Sequence, residues 1–528
     1  MVHLWPRALT WFCLLKLWNV GNAKPSVRLQ CNKTLAAGST LTLTDKLDLS
    51  GSPDQCGIFG PTGDEPATIV VPAKDCVLHA QGEVTIRGNV RFLVGHRSKK
   101  FDCCDDGEGH GGILCSDSNL TIAEKALVTI ATTDDAVVLN PGAFWTGSFI
   151  HVDGTVNATL QYGQMTGLNG VLSSSSMRVS ANGHVIASGM KVARGVAIQG
   201  GDGGTVLEGT VECSDYHASD VGGCVAAGRN FSFLPSGIIR ATNGHSVGGV
   251  GVVLCGGGMA DLQGTIIASN ITTQNAGAVF AGDAITMSGK ASIHATNVYA
   301  GGGSAVISSG PIILQDEASV RVNGSWGGDS GAIGGKIVQM SGNTKLWCAN
   351  AYADGAGGCI GSTIHMSDNA AITAQNVTSK TLGGAIAGGY PGQHLVVSGN
   401  VTIDVDGSSA GLYGGAFFFW ANMTFGNGAF QIRIRNTASP CGGALATLNG
   451  KNDVYLDTTF GGELTIENAR ELDATADCET VYANLVSGTP SRHGPRISQP
   501  CGKGCAVPVV PPSCGCGSQK GKFIECCG

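Results

Sequence analysis

Apolar and polar residues alternate along this chain in short runs, and the runs return about every 27 residues. Such alternation places one face of a strand in a core and the other in solvent, whereas no window sustains the 3.6-residue period of a helix. The pattern therefore predicts an all-β chain of short strands. The clearest series of apolar pairs is Ile293/Ala295, Val320/Val322, Leu346/Cys348, Ile372/Ala374, Ile403/Val405 and Ile432/Ile434.

A short glycine phrase precedes these strands in each repeat. Its second glycine falls at positions 331, 358, 384, 415 and 443, so the spacing is 26 to 31 residues. A period in this range indicates a solenoid. Each repeat contains three expected strands: the glycine phrase, a second apolar pair such as Ile364/Met366, and the pair described above. Strands stacked in register about 4.8 Å apart would form a parallel β-helix solenoid of roughly 13–15 coils of ~27 residues.

A column of asparagines supports the same register. Each member follows the third strand of its repeat, at intervals of 26 or 27 residues. Asparagine tolerates the left-handed conformation of a tight corner, and stacked amides can hydrogen-bond to one another. We therefore expect a structural asparagine ladder formed by Asn243, Asn270, Asn297, Asn323, Asn350 and Asn376.

The two ends of the chain differ from the repeat. Residues 1–23 combine Arg7, an apolar run and small terminal residues, as a secretory signal peptide does; an uncleaved anchor is the alternative. Residues 24–110 are expected to form an N-terminal cap and the first irregular coils, and 111–472 the parallel β-helix. Six prolines, together with six cysteines in the last 28 residues, then indicate a disulfide-held tail over 473–528, which either caps the last coil or binds a partner.

Cysteine usage agrees with export to an oxidising compartment, since the chain has 20 cysteines. Two pairs have matching spacing, Cys213/Cys224 and Cys348/Cys359, and each joins a strand to the residue after a Gly-Gly pair. Zinc is the rival interpretation, but zinc sites favour close cysteine pairs with histidine. The spacing therefore predicts two disulfides. Loss of Cys13 with the signal would leave an odd number, so one thiol is expected to be free or paired with another chain.

Nine asparagines have Ser or Thr two places on, which makes them glycan acceptors in a eukaryotic secretory route and meaningless in a bacterial one. Three of them, Asn270, Asn323 and Asn376, belong to the expected ladder, and an amide inside a ladder cannot carry a glycan. We therefore expect glycosylation at Asn119, Asn157, Asn230, Asn400 and Asn422.

Charged residues make up only 13% of the chain, the net charge is −7, and Lys and Arg form no run, so binding to nucleic acid is not expected. No segment after the signal is long and apolar enough to span a membrane. When the apolar pairs of three late repeats are aligned, their charged residues fall into one outer charge column. Opposite charges on neighbouring coils would help to fix the register; an active site is the other interpretation. The column consists of Asp404, Asp406, Arg433, Arg435 and Glu467.

Catalysis on a polysaccharide requires carboxylates that converge on one exposed face. The candidates are Asp105, Asp106, Glu108 and His110 in one loop, and Asp134 and Asp135 in the next coil. A solvated acidic turn explains the loop better, so no residue is assigned as catalytic. The 12 histidines show no paired spacing and the calcium-binding nonapeptide repeat is absent, so neither a metal nor a cofactor is expected.

The glycine phrases that end at Ile333, Ile386, Phe417 and Leu445 resemble the repeats of chlamydial polymorphic outer-membrane proteins. In that family the passenger region is a right-handed parallel β-helix that acts as a surface adhesin, and the resemblance implies the same fold over about 111–468. The family's companion Phe-x-x-Asn motif occurs at Phe419–Asn422, and its C-terminal barrel has no counterpart in the cysteine-rich tail. The resemblance implies a secreted relative of the repeat and not an autotransporter.

These features predict a secreted or cell-surface, non-catalytic protein that acts in adhesion or in contact with extracellular matrix or wall, with glycans or surface proteins as partners. The alternative is a polysaccharide lyase or glycoside hydrolase on a β-helix scaffold; a third possibility is a wall protein crosslinked through its tail cysteines. Aromatic residues near turns either form a sugar-stacking platform or pack at edges. They are Trp326, Trp347, Trp420, Tyr390 and Tyr413.

Overall fold

In the computed structural model, each coil of the chain lies in parallel register on the coil before it, which gives an all-β solenoid of about 13 turns spaced by ~27 residues. The structure describes residues 33–42, 47–48, 55–71, 78–94, 113–132, 136–138, 142–159, 164–220, 222–447, 453–456, 460–472 and 484–487. Within these ranges the regular secondary structure consists of β-strands alone. The predicted parallel β-helix is thereby confirmed.

Two parallel sheets run along the solenoid. The glycine sheet holds the glycine phrases and the second apolar pairs, and the asparagine sheet holds the third pairs and the residues after the asparagine column. The strands of the glycine sheet are Lys33–Thr34, Leu47–Asp48, Gln55–Phe59, Leu78–Ala80, Glu83–Arg87, Leu114–Ser116, Leu120–Ile122, Phe144–Val152, Leu172–Val179, Ile198–Leu207, Val225–Ala227, Phe231–Phe233, Val253–Leu262, Phe280–Met287, Val306–Ser308, Pro311–Leu314, Ile333–Met340, Ile360–Met366, Ile386–Ala387, Leu395–Val397, Phe417–Phe419, Met423–Phe425, Leu445–Thr447, Asp453–Leu456 and Asn484–Ser487. The strands of the asparagine sheet are Thr40–Thr42, Ala67–Val71, Asn89–Val94, Leu127–Thr132, Ala136–Val138, Thr155–Thr159, Gln164–Asn169, His184–Ser188, Met190–Arg194, Thr210–Ala218, Ile238–Ser246, Thr265–Thr273, Ser292–Ala300, Ser319–Gly327, Lys345–Ala353, Ala371–Gln375, Thr378–Ser379, Thr402–Asp406, Ser409–Ala410, Gln431–Arg435, Ala438–Ser439, Glu463–Glu467 and Arg470–Glu471.

The buried face of the glycine sheet shows the register directly. Ile333 pairs with Ile360, and Ile360 pairs with Ile386, and all three side chains are fully buried. The column continues to Phe417 on the next coil. Burial of each such side chain contributes about 1.5–3 kcal/mol, and each coil covers the apolar face of its neighbour. Like residues therefore stack on like residues to form the core.

Both glycines of the glycine phrase are required by the backbone. The first has a left-handed conformation, with φ of 75° at Gly357 and 55° at Gly383. At the second, a Cβ on Gly384 would overlap the carbonyl oxygen of Gly415 and lie 2.7 Å from the amide nitrogen of Ser409. A side chain is thus disfavoured at the first position by φ and at the second by the neighbouring coil.

From the strand Ala136–Val138 onward, the described coils contain a fourth short run that the sequence did not reveal. In Ser292–Ala300, Asn297 has φ of 53° and bends the strand, after which Val298 and Ala300 are again buried. In a later coil the same bend falls at Asn376. Two or three residues are too few to show an alternating pattern, so only three strands per repeat were predicted.

Side-chain amides hydrogen-bond from coil to coil at this asparagine corner. Asn270 donates through Nδ2 to Oδ1 of Asn243 at 3.1 Å, and Asn297 donates to Asn270 at 3.4 Å. The sequence missed the member below them, Asp215, whose carboxylate accepts from Asn243 at 2.9 Å. Asp215 shares the left-handed backbone of the asparagines, with φ of 51°.

Two expected ladder members behave differently. Asn323 precedes the corner by one residue because Gly324, with φ of 67°, takes the left-handed position; Asn323 still accepts from Asn350 at 2.9 Å. Asn376 occupies the corner, with φ of 50°. Within the described residues, however, no side-chain hydrogen bond joins it to Asn350. The ladder is therefore a set of separate segments, because glycine can replace asparagine wherever only the left-handed backbone is needed.

A second corner, in the turn before the third strand, alternates glycine and aspartate. Gly289, Asp316, Gly342 and Asp368 all have φ between 60° and 73° and follow one another on successive coils. Asp316 Oδ2 accepts the backbone N–H of Gly289 at 2.9 Å, and Asp368 Oδ2 accepts that of Gly342 at 3.0 Å. Each carboxylate therefore binds a glycine amide one coil below it.

Both predicted disulfides are present. Cys213–Cys224 and Cys348–Cys359 each join an inward position of the third strand to the residue after the Gly-Gly corner, with Cα–Cα distances of 5.7 and 5.9 Å. All four cysteines are buried, so the bridges cross the interior of the solenoid. Cys255 is a buried free thiol that donates to the carbonyl of Arg229 at 2.9 Å.

The coils extend into both predicted end segments. Near the start, Ile58 pairs with Ile86, and Ile86 pairs with Ile122 in the regular part. At the other end, Asn484–Ser487 pairs with Asp453–Leu456, so one strand of the glycine sheet lies beyond residue 472. The expected signal peptide and the tail cysteines lie outside the described residues.

Candidate binding face

The outward positions of the fourth run form a continuous column along the asparagine sheet. Successive coils place these side chains directly in register. Because three consecutive members are aromatic, we name the set the aromatic column. Its members are His217, His245, Thr272, Tyr299, Trp326, Tyr352 and Thr378.

The three central rings of the aromatic column stack on one another. The ring centroids of Tyr299 and Trp326 are 4.3 Å apart with 3° between the planes, and those of Trp326 and Tyr352 are 6.2 Å apart with 11°. Tyr299 is 40% exposed. Such pairs contribute about 0.5–1.5 kcal/mol each beyond their burial. The stack thus stabilises three coils and holds a row of aromatic edges at the surface.

Alternation inside the fourth run turns these rings outward. Tyr299 lies between Val298 and Ala300, and Tyr352 lies between Ala351 and Ala353 in sequence, and all four flanking side chains are buried. Since successive strand residues point to opposite faces, the rings cannot enter the core without expelling these neighbours. The positions of the rings are therefore fixed by the core.

A cationic group lies across the asparagine corner from the stack. The Arg321 guanidinium stands 4.4 Å from the centroid of the Trp347 ring, a cation–π contact. Arg321 makes no salt bridge within the described part of the chain, so its charge is available to a ligand. On the side of the corner that holds the stack, Tyr352 Oη donates to Asp354 Oδ1 at 3.3 Å. Aromatic, cationic and hydrogen-bonding groups therefore flank one corner.

Four histidines form two pairs across neighbouring coils, which their spacing in the sequence did not predict. The rings of His217 and His245 stack at 4.9 Å with 22° between planes, and the rings of His365 and His394 are 5.1 Å apart. Burial, then the neighbouring histidine, lowers the pKa of both His217 and His365. The pairing was missed because a separation of one coil length brings residues together only when the register is known.

In the outer charge column Arg435 is paired with two carboxylates. The structure places Asp404 beside Arg433, and Asp406, Arg435 and Glu467 in one register position. Arg435 pairs with Asp404 at 3.0 Å and with Asp406 at 3.5 Å, and the Asp404 charge chiefly raises the pKa of the guanidinium. The adjoining surface has a shallow depression of about 330 Å³, which is lined by Arg433, Arg435, Glu463, Thr465 and Glu467.

The five expected glycosylation sites all lie on described strands or turns. Asn230 is exposed. Asn119 donates through Nδ2 to Glu83 at 2.8 Å, and Asn400 donates to Asn369 at 3.4 Å. Attachment of a glycan at either of these two would require that hydrogen bond to be given up. Glycosylation at these sites, and at Asn157 and Asn422, stays a prediction.

The remaining aromatic residues divide between the two predicted roles. Tyr413 and Trp420 pack around Phe418 in a small cluster beside the core, with ring centroids 5.8 Å from Phe418 in both cases. Tyr390 lies on a loop and is 59% exposed. Of the five aromatic residues considered from the sequence, two belong to the candidate binding face: Trp326 in the stack and Trp347 beneath the Arg321 guanidinium.

Other chemical features considered from the sequence concern acidic loops, metal ligands and membrane-spanning segments. The acidic loop at 105–110 and the pair Asp134 and Asp135 lie outside the described residues. Across the residues that are described, no group of three or more His, Cys, Asp or Glu side chains is arranged to hold a metal ion. The same residues contain no helix with the length and apolarity needed to cross a membrane.

Comparison with protein-family models, with curated proteins and with solved structures finds no match to this chain. The class of the protein therefore follows from its own geometry: it is a disulfide-linked parallel β-solenoid with an aromatic column on one corner.

Proposed function

We propose that this chain is a secreted or cell-surface protein that binds, without turning over, an extended polysaccharide along its aromatic column. The observation that carries the proposal is the row of Tyr299, Trp326 and Tyr352 on consecutive coils. Aromatic side chains present an apolar body with a polar tip, which suits ligands that combine C–H faces with hydroxyls. Disulfides across the core agree with an oxidising compartment.

The spacing of the groups favours a polymer over a compact ligand. Coils repeat about every 4.8 Å along the axis, so the aromatic column offers one contact per coil in a straight line. A chain of sugars can engage several such contacts at once, and many weak contacts in series give useful avidity. Arg321 lies next to this line without a carboxylate partner in the described residues, which favours polymers that carry carboxylate or sulfate groups.

Binding to immobilised polysaccharides, both neutral and uronate-containing, tests the proposal. Trp326→Ala should weaken binding by about 30-fold, because loss of a central aromatic contact typically costs about 2 kcal/mol. Trp326→Phe should retain most of the affinity, since it keeps a ring in the stack. Tyr390→Ala is the matched control, because Tyr390 is more exposed but lies off the column.

Equal binding by wild type and Trp326→Ala would overturn the assignment of this face. Arg321→Gln should selectively weaken binding to uronate polymers and reduce its dependence on salt. Neutral polymers should bind this variant as they bind wild type. If neither polymer class binds wild type, the ligand is not a polysaccharide.

The outer charge column supports a second candidate, a lyase or hydrolase acting on an acidic polysaccharide. Two glutamates and two arginines line one shallow depression, and Asp404 and Asp406 pair with Arg435 beside it. Product release from pectin, alginate and related polymers tests this candidate. Turnover that Asp404→Ala abolishes would establish it, whereas Asp404→Ala should leave binding through the aromatic column unchanged if the first proposal holds.

A further inference from the structure

Two histidines on the outer face of the glycine sheet direct their Nε2 atoms at each other across neighbouring coils. The Nε2–Nε2 distance between His365 and His394 is 3.0 Å. His365 lies on the strand Ile360–Met366, and His394 directly precedes the strand Leu395–Val397. Both side chains are half-buried. The pair lies on the other sheet from the aromatic column and takes no part in the binding described above.

The hydrogen bonds of His394 fix where its proton lies. Nδ1 of His394 is 3.2 Å from the carbonyl oxygen of Gly392. A carbonyl can only accept, so Nδ1 carries the proton in the neutral ring and Nε2 carries a lone pair. Metal-binding histidines commonly show this arrangement, in which the second nitrogen donates to a backbone carbonyl and orients the ring. The lone pair of His394 Nε2 is therefore prepared for a cation or a proton.

The separation of the two nitrogens selects a coordination geometry. With metal–nitrogen bonds of about 2.0–2.1 Å, two nitrogens 3.0 Å apart subtend an angle of about 94° at the metal. A tetrahedral ion would require about 3.4 Å between them. An angle near 90° corresponds to neighbouring positions of a tetragonal or square-planar ion, the geometry preferred by copper(II) and nickel(II).

We propose that His365 and His394 form a chelating site for a divalent transition-metal ion, with a preference for copper(II) or nickel(II) over zinc. The ion takes the place of the proton that His365 Nε2 donates to His394 Nε2. His365 then adopts the tautomer that carries its proton on Nδ1, so both rings ligate as neutral imidazoles and no net proton is released. A rotation of each ring about its Cβ–Cγ bond turns both lone pairs toward the ion. Water completes the coordination, beside the half-buried side chain of Gln339, which pairs with His365 from the coil below.

Binding of the ion would crosslink the loop that follows Ala387 to the preceding coil. Within this loop Tyr390 is 59% exposed, and its backbone N–H is held only by Gln393 Oε1 at 3.0 Å. At the end of the loop the His394 carbonyl already accepts the backbone N–H of Ile364 at 3.0 Å, and a metal bridge would add a side-chain link to the same coil.

Calorimetric titration of the full-length, untagged protein with copper(II), nickel(II) and zinc(II) tests the site. Wild type should bind one more copper(II) and one more nickel(II) ion than His365→Gln or His394→Gln, with affinity in the order copper, nickel, zinc. Each substitution should weaken binding at this site by on the order of tenfold or more. Electron paramagnetic resonance of the copper(II) protein should show nitrogen coupling that both variants lose.

The stacked pair His217 and His245 supplies the matched control. Its rings lie face to face at 4.9 Å, so their nitrogens do not converge, and His217→Asn should leave the stoichiometry unchanged. Disulfide content and circular dichroism of each variant show whether it has folded. Identical stoichiometry and spectra for wild type, His365→Gln and His394→Gln would overturn the proposal, as would loss of the site in His217→Asn. Polysaccharide binding serves as a separate readout that His365→Gln and His394→Gln should not change.

Discussion

Replacement of Gly384 by alanine tests how closely the coils approach one another. The added Cβ would overlap the carbonyl oxygen of Gly415 and lie 2.7 Å from the amide nitrogen of Ser409. Both contacts are backbone atoms of the next coil, which cannot rotate away as the end of a flexible side chain does. Overpacking of a core typically costs about 1–3 kcal/mol, and the rigid neighbours place this substitution at the upper end, at about 3 kcal/mol.

Two other glycines separate this steric cost from backbone strain. Gly392 has φ of +86° with open space around its Cβ position, so alanine there meets only the left-handed penalty of about 1–2 kcal/mol. Gly63 has open space and no positive φ, so alanine should be neutral or stabilising by up to about 1 kcal/mol. The expected order of destabilisation is Gly384→Ala, then Gly392→Ala, then Gly63→Ala.

Hydrogen exchange is the appropriate assay for these variants. In a chain of 528 residues a loss of 1 kcal/mol shifts the melting temperature by less than ~2 °C, because the entropy of unfolding is large. Local opening is measured more sensitively: a loss of about 3 kcal/mol speeds amide exchange roughly 150-fold in the affected coils. The relevant peptides cover residues 378–387 and 409–418. If Gly384→Ala exchanges there no faster than Gly63→Ala, the inferred contact between coils is wrong.

Three further predictions concern the disulfides, the asparagine corner and the stacked histidines. Replacing Cys213 and Cys224 together by serine should lower the free energy of unfolding by about 2.8 kcal/mol, from loop entropy over an 11-residue separation; an unshifted denaturant midpoint would contradict this. Asn297→Ala should cost about 1–2 kcal/mol because alanine resists φ of 53°, whereas Asn297→Gly should cost less in the same denaturation assay; equal losses would argue against backbone strain. Burial, then His245, lowers the pKa of His217 from its ordinary 6.5, so the unfolded chain binds the proton first and stability should decline as the pH falls below that value. Melting curves above and below that pH should show a smaller decline for His217→Asn, and an unaltered decline would count against the pKa shift.

The sequence was sufficient to predict the fold because the solenoid repeats its requirements in every coil. Ile333, Ile360 and Ile386 occupy equivalent positions after a Gly-Gly corner, and the structure stacks them in one buried column. The disulfide Cys348–Cys359 followed from the same reasoning, since its spacing matched that of another pair. Wherever strand pairing sets the register, residues one repeat apart in the sequence lie next to each other in the structure.

Features on corners and loops were beyond this reasoning. His394 follows a loop that makes its coil longer than the preceding one, so its distance from His365 depends on how the loop is accommodated. The stacking of Trp326 on Tyr299 was hidden because the fourth run is too short to show alternation. The sequence therefore predicted the scaffold, whereas the groups proposed to bind ligands could be recognised only in the three-dimensional structure.

The alternating corner formed by Gly289, Asp316, Gly342 and Asp368 constrains how the solenoid can be lengthened or shortened. Its carboxylates occupy every second coil, about 10 Å apart, which is close to the Debye length at moderate ionic strength. Excision of the single coil that carries Gly342 would set Asp316 directly against Asp368 and deprive one carboxylate of its glycine amide. In this part of the molecule the unit for duplication or deletion, in evolution and in protein engineering alike, is therefore a pair of coils.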